Sequence, residues 1–203
     1  AQGDVIYHNG TNFVNLGPGT SGHFLKTQGA AANPVWAAAS GGGGAWQLQW
    51  GPLDNEAPAA NYATLDTRNA HPVLDFDTTT AEAAVFTGAL PPDYGGGGLT
   101  VSIWCAATSA TSGTIGWLVS IERIDVSSLD IDADSFASAN TVTATTVPGT
   151  SGQVLKLSVN ISSGANMDSL AAGELFRIKI ERDVTNDTAA GDAELLRVLM
   201  VEQ

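Results

Sequence analysis

The strongest constraint on this chain is a two-residue rhythm of apolar side chains. Leu99, Val101, Ile103 and Cys105 alternate with Thr100, Ser102 and Trp104, and Ile115, Trp117, Val119 and Ile121 are set against Gly116, Ser120 and Glu122. Successive side chains of a β-strand point to opposite faces, so this period describes strands with one face buried. Val73-Leu74-Asp75-Phe76-Asp77 and Ala84-Val85-Phe86 carry the same texture, as do residues 142–147, 154–161, 175–182 and 194–201. Turn-forming segments at 91–98, 108–113, 148–152 and 187–191 separate them. Eight strands, with room for short helical turns only at 134–139 and 167–172, predict an all-β fold: an antiparallel eight-stranded jelly-roll β-sandwich.

The texture changes near residue 60. Asp4, Lys26, Asp54 and Glu56 are the charged residues of the first sixty, yet that stretch holds Tyr7, Phe13, Trp36, Trp46 and Trp50. Asn9-Gly10, between Val5-Ile6-Tyr7 and Phe13-Val14-Asn15-Leu16, predicts a tight hairpin turn because Asn-Gly supplies positive φ angles. Phe24-Leu25-Lys26 predicts a second short strand. Units this small bury too little area to be stable alone. They are either a flexible arm or an arm ordered by identical neighbours. The resulting division is a β docking or trimerisation module over 1–40, a Gly- and Pro-rich linker over 41–60, and the sandwich over 61–203.

Charge removes several functions. Eight Lys and Arg stand against 21 Asp and Glu, a formal net charge of −13. Cations this sparse form no basic stripe to neutralise a phosphate backbone or an anionic membrane, so neither nucleic acid nor a lipid surface is an expected partner. No apolar run approaches the roughly 20 residues that span a bilayer, and the opening Ala-Gln-Gly-Asp lacks the basic and apolar regions of a signal peptide. Cys105 is the sole cysteine, which excludes an intrachain disulfide. The Ala at position 1 fits an initiator Met already removed, as expected of a complete short protein, although a cut piece would read the same.

Two stretches resemble known proteins. Gly3-Asp4-Val5-Ile6-Tyr7-His8-Asn9-Gly10-Thr11-Asn12-Phe13-Val14-Asn15-Leu16, with Gly19-Thr20-Ser21-Gly22 and Pro34-Val35-Trp36, resembles a module of tail-fibre and other virion proteins of tailed bacteriophages; Phe13 stands where that family usually has Trp. His71-Pro72-Val73-Leu74-Asp75-Phe76-Asp77, Pro91-Pro92-Asp93-Tyr94 with the glycines 95–98, Trp117, Glu122-Arg123 and Arg182-Asp183 resemble a β-rich domain of structural proteins of environmental phages. The resemblance implies a virion structural protein, made in the host bacterial cytoplasm and displayed on the particle surface. Its implied partners are phage capsid or tail proteins and two further copies of itself, as a homotrimer.

Three sets of residues are candidates for chemistry. Asp130, Asp132 and Asp134 place carboxylates at every second residue, as in the first half of an EF-hand loop, and are candidate calcium ligands; the Gly at position six and the Glu at twelve are missing. The alternative is an acidic loop in which Asp134 or Ser135 caps a short helix from Phe136. Asp75 and Asp77, roughly 6.5–7 Å apart along a strand, have a spacing compatible with paired-carboxylate glycoside chemistry. Inward Leu74 and Phe76 explain them equally as an outer face, and neither they nor His71 comes with a nucleophile elbow. No catalytic residue, no cofactor and no enzymatic activity are therefore expected. Trp104 breaks the polar side of its strand, and with Tyr94 it is a candidate for stacking on glycan or for a subunit contact. With these residues, the resemblance implies a non-enzymatic head fibre or capsid decoration protein, with a receptor-binding tail-fibre tip that recognises host surface glycan as the alternative.

Overall fold

A computed structural model describes residues 2–38, 46–126 and 129–203. The chain forms two compact units, Ala1–Gly44 and Ala45–Gln203. In the first, β1 (Val5–His8) and β2 (Phe13–Leu16) make an antiparallel hairpin, and β3 (His23–Lys26) pairs with β4 (Val35–Ala38). The hairpin loop has four residues, 9–12, because His8 faces Phe13 across the ladder. The Asn9 side-chain oxygen accepts the N–H groups of Thr11 and Asn12, and Gly10 takes φ +97°. Ile6 and Phe13 stay 73% and 78% exposed, so this unit leaves large apolar groups uncovered by its own residues.

The second unit is a jelly-roll β-sandwich, as the alternation predicts. All eight expected strands are present: β7 (His71–Phe76), β8 (Ala83–Ala89), β9 (Leu99–Ala107), β10 (Thr114–Ile124), β11 (Asn140–Thr146), β12 (Leu155–Ile161), β13 (Leu175–Arg182) and β14 (Ala193–Glu202). Two short strands precede them, β5 (Gln47–Trp50) and β6 (Thr64–Arg68). One sheet runs β11-β10-β13-β8. The larger runs β12-β9-β14-β7-β6, with β5 taking over from β7 along the second half of β14. All these strand pairings are antiparallel. Leu74, Phe76, Phe86, Ile103, Trp117, Ile121 and Phe176 meet between the sheets with no exposure, and the Trp117 ring stands edge-on to Phe76 at 4.8 Å. Burial pushes the Cys105 thiol up to about 12, which leaves it an inert core group.

The boundary expected at Asn61 moves toward the N-terminus. Gln47–Trp50 pair with β14, and the Trp50 ring enters the core beside Phe86 at 6.1 Å and Phe176 at 6.0 Å while its indole N–H donates to the Thr87 carbonyl. The next residues cover the edge of β8. The Asn55 side chain accepts the Val85 N–H, and the Glu56 N–H donates to the Val85 carbonyl. Residues 47–56 are thus part of the sandwich and no linker, and Trp46 and Trp50 belong to it as well. The glycines 41–44 lie outside the described residues. A four-residue strand such as Gln-Leu-Gln-Trp carries too little alternation to be recognised against a Gly- and Pro-rich background.

Arg182, fully buried at the end of β13, ties the sheets together. Its guanidinium donates to the Asp187 carboxylate at 2.8 Å, to the Phe76 carbonyl at 2.7 Å and to the Gly191 carbonyl at 2.9 Å. One side chain thereby holds the C-terminal end of β7 and the middle and C-terminal end of the loop between β13 and β14.

Candidate groove on the outer face of the larger sheet

Across β12, β9 and β14, Lys156, Trp104 and Arg197 lie in one register row. All three point away from the core, since their neighbours Leu155, Leu157, Ile103, Cys105 and Val198 are buried within it. Arg197 owes its orientation to a β-bulge. Leu195 faces Cys105 and Arg197 faces Trp104, so Leu196 is an extra residue in β14. In unbroken alternation Leu195, Arg197 and Leu199 would share the inner face; the insertion reverses the parity, sending Val198 and Met200 inward and Arg197 and Leu199 outward.

Beside Trp104 the face is hollowed. One hollow of about 460 Å³ is lined by Gln47, Gln49, His71, Trp104, Arg197 and Leu199 among others. A second, of about 570 Å³, continues past Arg68, Val73, Ala106 and Glu194, and His71, Val154 and Leu196 line both. The two hollows adjoin to form a groove along the sheet, and each is of the size that takes a small ligand or a polymer segment (roughly 300–1,000 Å³). Trp104 is half-buried, with the Lys156 ammonium 4.9 Å from its ring centroid. Gln47, Gln49 and His71 are exposed along the rim. At the far end, Arg68 pairs with Glu194 at 2.6 Å and also donates to the Ala107 carbonyl. Gly152, at φ +78°, lets the 148–152 turn close on Arg68; a Cβ there would stand 2.5 Å from the guanidinium.

Of the residues singled out from sequence, Trp104 lies in the groove and Tyr94 does not. Tyr94 is buried, its hydroxyl accepts the Gly98 N–H at 3.0 Å, and its ring meets Trp46 edge-on at 6.2 Å, so it presents no face to a glycan or to another subunit. Gln47, Gln49 and Arg197 were not anticipated. The signal for Arg197 was legible as a change in apolar parity, from Ala193 and Leu195 to Val198 and Met200.

Asp130, Asp132 and Asp134 do not converge. Asp130 and Asp132 are exposed, the Asp130 carboxylate accepts the Asp132 N–H at 3.1 Å, and the Asp130 carbonyl accepts the N–H groups of Ala133 and Asp134. Among the described residues no three His, Cys, Asp or Glu side chains are placed to hold a metal ion. The loop turns on its own backbone and starts no helix at Phe136; residues 165–167 form the one 3₁₀ turn near the second expected helical segment.

Asp75 and Asp77 serve separate ends. The Asp77 carboxylate accepts the Thr79 hydroxyl and the backbone N–H groups of Thr79 and Thr80 at 2.7 Å each, which draws its pKa down to about 2. Asp75 lies on the outer face opposite Glu194, and burial, reinforced by the charges of Glu194 and Asp66, raises its pKa to about 6. A carboxyl whose folded pKa exceeds its ordinary 3.8 favours the fold while protonated, and this contribution is lost as the pH rises from about 4 to about 6. Asp75→Asn should therefore raise stability at pH 7 by about 1 kcal/mol, after allowance for solvent screening at a half-exposed site, and flatten the slope between pH 4 and 6. Urea unfolding of both proteins at pH 4 and pH 7 checks this; equal stability at pH 7 would contradict it.

No family model and no curated protein matches this chain. Among solved structures, similar chains include CsCBM6-3 from Clostridium stercorarium in complex with cellobiose (10% identity, 77% of this chain and 94% of that one, TM-score 0.45). Others are the CBM22-2 xylan-binding domain from Paenibacillus barcinonensis Xyn10C (14% identity, 74% and 92%, TM-score 0.42) and the K1 cleaved adhesin domain of Lys-gingipain from Porphyromonas gingivalis W83 (13% identity, 78% and 99%, TM-score 0.39). Carbohydrate-binding modules recur among these neighbours, and at such identities and TM-scores none of them assigns a ligand to this chain.

Proposed function

We propose that this chain is a non-enzymatic surface protein of a tailed-phage virion whose sandwich binds glycan through the outer face of its larger sheet. The observation that carries the binding half is the groove itself: an aromatic side chain in its lining, two amides and an imidazole exposed along it, and a guanidinium from the strand next to the indole's. Sugars offer apolar C–H faces for stacking and hydroxyls that need donors and acceptors, and this groove supplies both. Among the described residues that line it no nucleophile is paired with a base, and its one carboxylate, Glu194, is engaged by Arg68. The virion half rests on the resemblance of residues 3–36 to phage fibre modules. The exposed Ile6 and Phe13 add to it, since they fit a unit that is completed by self-association or by a virion protein. A groove ready for a sugar favours a receptor-binding role over a head fibre or decoration protein without a ligand.

The full chain should bind a subset of an array of bacterial surface glycans, and Trp104→Ala should weaken that binding at least tenfold without lowering the melting temperature by more than a few degrees. Immunogold labelling of virions gives the second readout. Label at the tail end supports receptor binding, whereas label on the head with no glycan bound supports the decoration protein, with Trp104 as a subunit contact.

A further inference from the structure

We propose that the groove is built for a polysaccharide bearing carboxylates, a uronate-containing polymer, in preference to a neutral one. This rests on the glycan reading above and deepens it. The chain carries 8 cations against 21 anions, so each cation's placement is informative. Arg68, Arg123, Arg177, Lys179 and Arg182 are each taken up in an ion pair with a carboxylate. Among the described residues of the sandwich, Lys156 and Arg197 remain without a carboxylate within 4 Å, and they flank the same aromatic ring, one on each neighbouring strand.

The bulge at Leu196, which lets Val198 and Met200 as well as Leu195 enter the core, turns Arg197 outward into the groove. The Arg197 guanidinium lies by Gly51, close to the Asp54 carboxylate, but that carboxylate accepts the Gly51 N–H at 2.7 Å and forms no ion pair with Arg197. The guanidinium thus keeps its fork of donors available on the groove side. A carboxylate is planar and matches that fork with two parallel hydrogen bonds, which a hydroxyl cannot do. A pyranose that carries one can lay its C–H face toward Trp104 while its carboxylate meets Arg197, and the Lys156 ammonium, 4.9 Å from the ring centroid on the strand to the other side of β9, adds a second positive charge. In a protein of net charge −13 the surrounding field repels an anionic polymer, so recognition of one requires such a local pair of cations.

The test is calorimetric titration of the full chain with polygalacturonate and alginate, with dextran and hydroxyethyl cellulose as neutral polymers and dextran sulfate as a non-carboxylate anion. The variants are Arg197→Gln, Lys156→Gln and Trp104→Ala, with Lys26→Gln, in the other unit, as the control for lost charge. The expected result is binding to at least one uronate polymer that weakens tenfold or more in Arg197→Gln, weakens less in Lys156→Gln, is unchanged in Lys26→Gln, and falls as salt rises from 0.05 to 0.5 M. Binding to a neutral polymer that needs Trp104 and ignores Arg197 would overturn the carboxylate preference and leave the glycan reading standing. Equal binding to dextran sulfate would show recognition of charge alone and overturn it as well. Binding to no polymer, with Trp104→Ala indistinguishable from the parent, would overturn both.

Discussion

Replacing Arg182 by leucine is expected to lower stability by about 3–5 kcal/mol. Leucine fits the space but leaves the Asp187 carboxylate, 2% exposed, as an uncompensated buried charge. It also removes the donors that satisfy the Phe76 and Gly191 carbonyls. For a domain whose total stability lies between about 5 and 15 kcal/mol, this is enough to unfold a large fraction at growth temperature. Adding Asp187→Asn should recover part of the loss, because it removes the buried charge. Urea unfolding of the parent, the single and the double variant measures both effects. A single variant within about 1 kcal/mol of the parent would mean that Arg182 does not clamp the two sheets.

Truncation should separate the true domain boundary from the compositional one. A fragment from Trp46 to Gln203 keeps β5 and should melt cooperatively, whereas a fragment from Asn61 to Gln203 should not fold. The second loses Trp50, whose removal from a core costs about 3–5 kcal/mol by itself. It also loses the pairing of four residues with β14 and the cover that Asn55 and Glu56 give to the edge of β8. Circular dichroism melting of both fragments decides the point. Should the shorter one melt within a few degrees of the longer, β5 is dispensable and the boundary falls at Asn61 after all.

The fold was legible in the sequence where strands are long and half-buried. β9 and β10 alternate over four or more apolar positions, and the core they predict, with Trp117 inside, is the core observed. β5 and β6 were not legible, because four or five residues such as Thr64-Leu65-Asp66-Thr67-Arg68 show no apolar period, and their place is set by the ladder partners β14 and β7. The candidate site was half legible. Trp104 stood out as an aromatic on the polar side of a strand, but its companions come from β5, β7, β12 and β14, and only the sheet order brings them together. Tyr94 misled because a Gly-rich neighbourhood suggests an exposed loop, whereas its ring closes that loop over the core. The aspartates 130, 132 and 134 misled because regular spacing along the chain says nothing of where carboxylates point once the backbone turns on Asp130.

The most direct measurement is a two-dimensional ¹H–¹⁵N spectrum that resolves the indole N–H signals of the five tryptophans, followed while a bound array glycan is titrated into the full chain. Trp36, Trp46, Trp50 and Trp117 lie off the groove lining, and the indole N–H groups of the first three already donate within the fold. The Trp104 indole should shift progressively to saturation, with the Gln47 and Gln49 side-chain amides, while the other four stay in place. A saturable glycan titration in which Trp104 does not move, or in which the shifts fall on the unit that ends at Gly44, would contradict binding in this groove.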